Sequence, residues 1–333
     1  MVPRKQLGIN RNYVKLKTIP RKTNMTKCPF FGVCGGCKYD FSSPDYHTQK
    51  SNSLPKLENL SESIWGIPGT RRRADFAAIP GHFGFYKTGT RDIIDITNCP
   101  NVLPEINYIL PDLSKLPWEC AASVLITKCE NGIVVNVQSD VPYFSPEFRT
   151  SVQKLPPQII RFTWNKTVVR AYSVPQIAFD NHTVDFPDNA FLQPTQNTEQ
   201  SLRDLVVSET VNAKHVVDLF CGIGNFTFAT HATGFDICGI GINRDLFKNP
   251  LSAKQLNQYD AIIMDPPRAG ALSQTREIVK SNVPTIVYIS CNPGTWTRDK
   301  NILLRGGYKI KTVIPVDQFV GSDHWEIFSV FIK

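Results

Sequence analysis

His215-Val-Val-Asp218-Leu-Phe220-Cys221-Gly222-Ile-Gly224-Asn225-Phe226 is the stretch that decides the fold. It reads as a buried strand running into a glycine turn and then a helix, the opening of a nucleotide-type α/β unit in which glycine lets backbone approach a ligand. Gly-x-Gly alone is weak evidence, so the surrounding chain must supply the rest. Ala261-Ile-Ile-Met-Asp265 is a second apolar strand, ending in Pro266-Pro267-Arg268. Thr285-Ile-Val-Tyr-Ile-Ser290 is a third, ending in Cys291-Asn292-Pro293. The last 25 residues pattern as an antiparallel pair, Lys309–Val316 and Trp325–Lys333. Polar and reactive residues thus fall at the carboxyl ends of successive strands, where open α/β sheets bind ligands. The expected fold class is α/β, with a Rossmann-like domain over residues 189–333.

Upstream, Ile126–Val137, Ile159–Thr163 and Thr167–Ala171 alternate like strands and carry no chemistry. Residues 101–188 are therefore expected to form a β-rich central domain. Nearer the front, Cys28-Pro-Phe-Phe-Gly-Val-Cys34-Gly-Gly-Cys37 has C-x5-C-x2-C spacing. Gly35 and Gly36 allow a turn tight enough for three thiolates to converge. A tetrahedral site wants a fourth ligand, and Cys99 is the next cysteine along the chain. Four cysteines admit zinc or an iron–sulfur cluster. Zinc sites usually pair two C-x2-C halves, whereas three clustered cysteines plus a distant one suit a [4Fe-4S] cluster, which is expected here in a segment spanning 28–100. Such a metal could do no more than clamp a loop. Cys120 and Cys129 lie in apolar, strand-like text and are expected in the core.

The whole chain of 333 residues is 41% apolar and 20% charged, an ordinary soluble composition long enough for about two domains. No apolar run approaches the roughly 18 residues of a membrane span, and no signal-peptide pattern opens the chain. The cysteines number nine, an odd count that cannot form a complete disulfide set, so a reducing, cytoplasmic setting is expected. Residues 1–27 carry eight basic side chains and no acidic one, which is the entire net charge of +8. The remainder holds 29 basic and 29 acidic side chains. A basic arm on a neutral body suits a polyanion such as nucleic acid, although a solvated terminus would look the same. Arg71, Arg72 and Arg73 form a second basic cluster.

Cys291 stands apart from the other cysteines. A cysteine at a strand end is usually inert packing, but this one is flanked by polar Ser290 and Asn292, stiffened by Pro293, and follows the glycine turn and Asp-Pro-Pro. A thiolate is the side chain best suited to add to a weakly electrophilic pyrimidine carbon and later leave again. Here the chain resembles the bacterial RNA 5-methyluridine methyltransferases, in the iron–sulfur subgroup that modifies 23S ribosomal RNA. The resemblance runs from about residue 28 to the end. It rests on Cys28, Cys34, Cys37 and Cys99; Phe191-Leu-Gln193-Pro-Thr-Gln-Asn197; Asp218–Phe226; Asp265-Pro-Pro-Arg-Ala-Gly270; Ser290-Cys291-Asn292-Pro293; and Asp317-Gln-Phe319 through His324-Trp325-Glu326.

The resemblance implies S-adenosylmethionine as methyl donor and RNA as partner, 23S ribosomal RNA rather than transfer RNA, with the protein a monomer. Cys291 matches the family's nucleophile and Glu326 its base. Asp265 matches the aspartate that orients ring and cofactor, and Gln193, Phe220 and Asn225 match cofactor contacts. An aromatic residue after Pro-Pro would mark an exocyclic-amine methyltransferase, and Arg268 stands there instead. The chain also departs from the family. No intact RNA-binding barrel is evident at the front, where Tyr13-Val-Lys-Leu-Lys-Thr-Ile19 supplies at most one strand. The second strand of the domain reads as Ile237–Gly241, which puts Gly241 where the family has the acidic residue that holds the cofactor ribose. Residues 242–260 are too few for a strand–helix–strand unit of roughly 30 residues, so the sheet edge is expected to be truncated near Asn243, with Asp245 a candidate replacement carboxylate. Two functional readings follow: an active uracil-5 methyltransferase, or a degenerate RNA-binding paralogue with weakened or lost activity.

Overall fold

The computed structural model describes residues 27–188 and 190–333, so the expected strand at Tyr13–Ile19 and all of the basic arm except Lys27 lie outside the described residues. The front half begins with the short helix α1 (Tyr46–Ser51) and continues through β1 (Arg73–Ile79), β2 (His82–Tyr86), β3 (Ile93–Asp95), α2 (Pro104–Ser114), β4 (Ala122–Cys129), β5 (Gly132–Ser139), α3 (Pro146–Gln153), β6 (Ile159–Trp164) and β7 (Thr167–Ala171). The strands form one seven-stranded sheet in the order β3-β2-β1-β4-β5-β6-β7. Its β5–β6 pair is parallel and is bridged by α3. Ile106, Ile109, Leu110 and Leu113 of α2 follow helical spacing and are buried against Phe76, Val124, Val135 and Phe162 of the sheet. The boundary expected at residues 100 and 101 therefore runs through a continuous sheet. Pairing of β1 with β4 from Arg73↔Thr127 to Ala78↔Ala122 leaves no edge at which two domains could part. A small hairpin, β8 (Gln176–Phe179) and β9 (His182–Asp185), follows.

The second half contains α4 (Gln196–Thr210), β10 (Val216–Leu219), α5 (Asn225–Thr230), β11 (Thr233–Asp236), β12 (Ile242–Asn243), α6 (Ala253–Leu256), β13 (Ala261–Met264), α7 (Leu272–Ile278), β14 (Thr285–Ser290), α8 (Pro293–Arg305), β15 (Lys309–Val316) and β16 (Glu326–Ile332). Its sheet order is β12-β11-β10-β13-β14-β16-β15, parallel as far as β14 and closed by the antiparallel β16 and β15. Every residue of β10 and β13 is buried, as happens when helices cover both faces of a parallel sheet. Leu202, Val206 and Phe226 of α4 and α5 fill one face. Leu256, Ile278, Trp296 and Leu303 of α6, α7 and α8 fill the other. This is the expected Rossmann-like arrangement.

The sheet edge is short. β12 has only two residues and joins β11 through residues 237–241 with no intervening helix. The expected strand at Ile237–Gly241 is displaced, however. The register Val217↔Thr233 to Leu219↔Phe235 makes Asp236 the last residue of β11. Ile237 and Ile240, whose apolar character suggested a strand, are 61% and 40% exposed, and Gly239 bends the chain at φ +103°. Among the described residues no helix is long and apolar enough to cross a membrane.

Candidate active site

Four apolar-flanked strand ends meet on one side of the sheet. β10 delivers Asp218, fully buried, whose Oδ2 accepts from Thr227 Oγ1 at 2.6 Å. Burial pushes Asp218 up to about 7 against the pull of that hydroxyl. The chain then turns through Phe220, Gly222 and Gly224 at φ +64°, +52° and +95°. Glycine takes two of these left-handed positions at little cost. The turn sets Asn225 at the start of α5, where its Oδ1 accepts from Arg203 Nη1 at 3.3 Å and its Nδ2 is buried without a partner. The Phe220 ring packs 5.4 Å from that of Phe247.

β13 leads into Asp265. Gln193 reaches it from the segment entering α4, with Nε2 donating to Asp265 Oδ2 at 3.0 Å. Gln193 is itself fixed by Arg72, which donates from Nε to the Gln193 carbonyl at 3.0 Å and pairs with Glu199 at 2.6 Å. The Gln193 Oε1 is buried and unpartnered. Burial, then the charge of Asp218, pushes Asp265 up to about 7.

β14 delivers Cys291. Asn292 caps α8 by accepting from Gly294 N at 2.9 Å and donates from Nδ2 to the Arg268 carbonyl at 3.0 Å, tying the cysteine loop to the Asp-Pro-Pro-Arg loop. Ser290 pairs with Ile327 and Val316 with Glu326, so Glu326 lies on the rung beyond Ser290, level with Cys291. Burial, then the charges of Glu326 and Asp265, pushes the Cys291 thiol up to about 11, with Arg268 opposing. Glu326 is 3% exposed and raised well above an ordinary carboxyl, by burial and then by Asp265. One thiol and two carboxyls thus meet in a site whose burial and mutual charge disfavour negative charge on each. A carboxyl raised in this way is suited to accept a proton near neutral pH.

Asp236 was missed in the sequence. Its Oδ2 accepts from Gly222 N at 2.8 Å and its Oδ1 from Cys238 N at 3.1 Å. Gly241 lies beyond the end of this strand. The available signal was distance: Asp236 follows Asp218 by eighteen residues, close to the about 20 at which such units place an acid. Asp245 Oδ1 accepts from Phe247 N at 3.0 Å and Lys248 N at 3.2 Å, making a local turn. Residues 237–241 pass directly over the glycine turn. Ile240 N donates to the Gly222 carbonyl at 3.2 Å, and the Gly239 backbone rests against the same carbonyl.

Cys28, Cys34, Cys37 and Cys99 line one cavity of about 220 Å³ together with Arg71 and Asn101. Burial, then the neighbouring Cys99, Cys34 and Cys28, pushes Cys37 up to about 12. Gly36 N lies 3.4 Å from Cys34 Sγ and Asn101 Nδ2 3.9 Å from Cys37 Sγ. Among the described residues no three Cys, His, Asp or Glu side chains are gathered tightly enough to hold a single metal ion. Cys120 and Cys129 pack in or against apolar clusters, as expected. The Arg71–Arg73 cluster is not a basic surface: Arg72 is 3% exposed, Arg71 Nε donates to the Arg73 carbonyl and Arg73 Nη1 to that of Ala190.

Residues 242–333 match the sequence profile of the tRNA (uracil-5-)-methyltransferase family. An uncharacterized RNA methyltransferase of Mesorhizobium japonicum is 32% identical over 92% of this chain and 84% of its own length. One of Brucella melitensis is 35% identical over 96% of this chain and 86% of its own. Among solved structures, the tRNA (uracil-54, C5)-methyltransferase of Pyrococcus abyssi in complex with S-adenosyl-L-homocysteine superposes with a TM-score of 0.63 at 19% identity, over 86% of this chain and 81% of that one. This likeness is one of fold.

Proposed function

Because the chain belongs to the RNA methyltransferase family of these relatives, we propose that it methylates carbon 5 of a uridine through a covalent adduct at Cys291. The observation that carries this reading is the meeting of Cys291, Glu326 and Asp265 at three adjacent strand ends. S-adenosylmethionine supplies an electrophilic methyl group. Cys291, as the thiolate, adds through Sγ to carbon 6 of uracil, and the electron pair released onto carbon 5 forms the new carbon–methyl bond as the donor's sulfur–methyl bond breaks and S-adenosylhomocysteine leaves. Glu326 then takes the carbon 5 proton, and that pair expels Sγ to restore the ring. Asp265, held by Gln193, orients the ring. The buried, unpartnered Gln193 Oε1 and Asn225 Nδ2 suit polar groups of the methyl donor.

The four thiols around the front cavity fit a [4Fe-4S] cluster by number and by donor chemistry. Such a cluster would clamp this segment and takes no part in the transfer. On the resemblance of the cysteine set, 23S ribosomal RNA is the proposed substrate. A specific observation favours the second reading, a paralogue without turnover: residues 239 and 240 rest on the Gly222 carbonyl, where a methyl donor has to approach.

5-Fluorouracil RNA separates these readings, since fluorine replaces the proton Glu326 removes and the adduct cannot resolve. A fluorinated 23S fragment with S-adenosylmethionine should give a denaturation-resistant protein–RNA complex, lost in Cys291→Ala. Trapping on a transfer RNA transcript alone would reassign the substrate. Trapping on neither, with no S-adenosylmethionine binding by calorimetry, would establish the second reading.

A further inference from the structure

The loop 317–325, between β15 and Glu326, is fastened almost wholly by residues from the front of the chain. Lys50 and Asp317 form an ion pair in which both side chains are completely buried. Lys50 Nζ also donates to the Phe319 carbonyl at 2.9 Å and lies 4.9 Å from the ring centre of Trp325, the residue before Glu326. Tyr46 OH donates to Asp317 Oδ2 at 2.7 Å and accepts from Gly321 N at 2.9 Å. Lys38 N and Tyr39 N both donate to the Gly321 carbonyl, and Asn101 Nδ2 donates to that of Val320 at 2.8 Å. Trp325 Nε1 donates to Ser53 Oγ at 3.0 Å. Gly321 sits so close to Cys37 that a Cβ there would stand 2.7 Å from Sγ.

A buried ion pair is a poor source of stability, because desolvation offsets its Coulomb attraction, but it is directional and leaves one arrangement satisfied. Burial pulls the Lys50 ammonium down while Asp317 holds it charged. An apolar pair of the same size would fill the space without fixing the loop's path. Each of these ties ends within nine residues of Glu326, and none of these side chains belongs to the strand-end cluster. We propose that Lys50, with Tyr46 and Asp317, is a positioning residue that sets the height of Glu326 opposite the carbon 5 proton. This rests on the assignment of Glu326 as base.

The steps of the reaction differ in what they ask of Glu326, which makes the role testable. Once Cys291 is a thiolate, its addition and the methyl transfer need no further base; release does. In the full-length protein, Lys50→Met should still trap fluorouracil RNA at the wild-type rate. On uridine RNA it should methylate once and then accumulate covalent adduct, with release slowed on the order of 10²-fold, the effect of an ångström-scale misplacement. Tyr46→Phe, the milder change, should slow release less. A general packing role would lower trapping and turnover together, and that result overturns the proposal, as does wild-type release in Lys50→Met. If wild-type protein traps no fluorouracil RNA, the assignment of Cys291 and Glu326 fails separately. Amide hydrogen exchange then decides the positioning role: 318–325 must exchange faster in Lys50→Met while 285–290 is unchanged, and equal exchange in 318–325 overturns it.

Discussion

The reactivity of Cys291 in the free protein should be low, and by an amount that follows from its surroundings. Burial, Glu326 and Asp265 hold its thiol up to about 11. At pH 8 about a thousandth of it would be thiolate, against about a quarter for an exposed cysteine of pKa about 8.5. A higher pKa makes each thiolate more nucleophilic, by about one decade over this interval at a Brønsted slope of about 0.45. The net deficit is therefore roughly twentyfold. Iodoacetamide labelling with mass spectrometry of the Cys291 peptide measures it directly, free of the other cysteines. The rate should rise about tenfold per pH unit from pH 7 to pH 10, without a plateau. Glu326→Gln removes one opposing charge. Labelling at pH 8 should then quicken, the gain in thiolate being partly cut by lower intrinsic nucleophilicity. A plateau near pH 8.5, or slower labelling in Glu326→Gln, would refute the placing of these three groups in one site. A slow free thiol also implies that activation waits for the positively charged methyl donor.

Other outcomes are equally open to measurement. Protein purified anaerobically should be brown with about four irons per chain, and Cys99→Ser should bleach it; stoichiometric zinc without iron would count against the cluster. Asp218 and Asp265 are each raised from 3.8 to about 7, so the native state keeps protons that the unfolded chain has lost between these values. Stability should therefore fall as pH rises from 4 to 7, and Asp265→Asn should flatten the decline of Tm across that window; a Tm rising toward pH 7 in proportion to these groups would contradict the burial. Removing residues 1–26 deletes seven cations. If half of them touch phosphates, the slope of log K for RNA against log salt should change by roughly three units, while an unchanged slope would mark the arm as a solvated tail.

Strand positions in the second half were legible because each is a short apolar run ended by proline, glycine or a polar cluster: Thr285–Ser290 and Lys309–Val316 occupy their expected ranges. The same logic failed at Ile237–Gly241. There Ile237 and Ile240 face solvent in a connection, and the strand itself contains Gly234, which carries no periodic signal. The four cysteines could be grouped from spacing alone. Lys50, Tyr46 and Asp317 could not, since a buried ion pair across 267 residues has no local signature. Arg71–Arg73 misled for the converse reason: charge in sequence says nothing of burial, and Arg72 is consumed by Glu199.

The position of β16 has a consequence for synthesis. It follows β15 in the chain, yet it is inserted between β14 and β15, and its residues are buried up to Phe331. A chain emerging amino end first can complete the front sheet and the parallel strands early. It must then hold a gap beside β14, with Val287 and Ile289 only partly covered, until β16 arrives. Deleting β16 would therefore remove an interior wall, not trim an edge, and a nascent chain cannot acquire the Cys291–Glu326 pair before β16 is made.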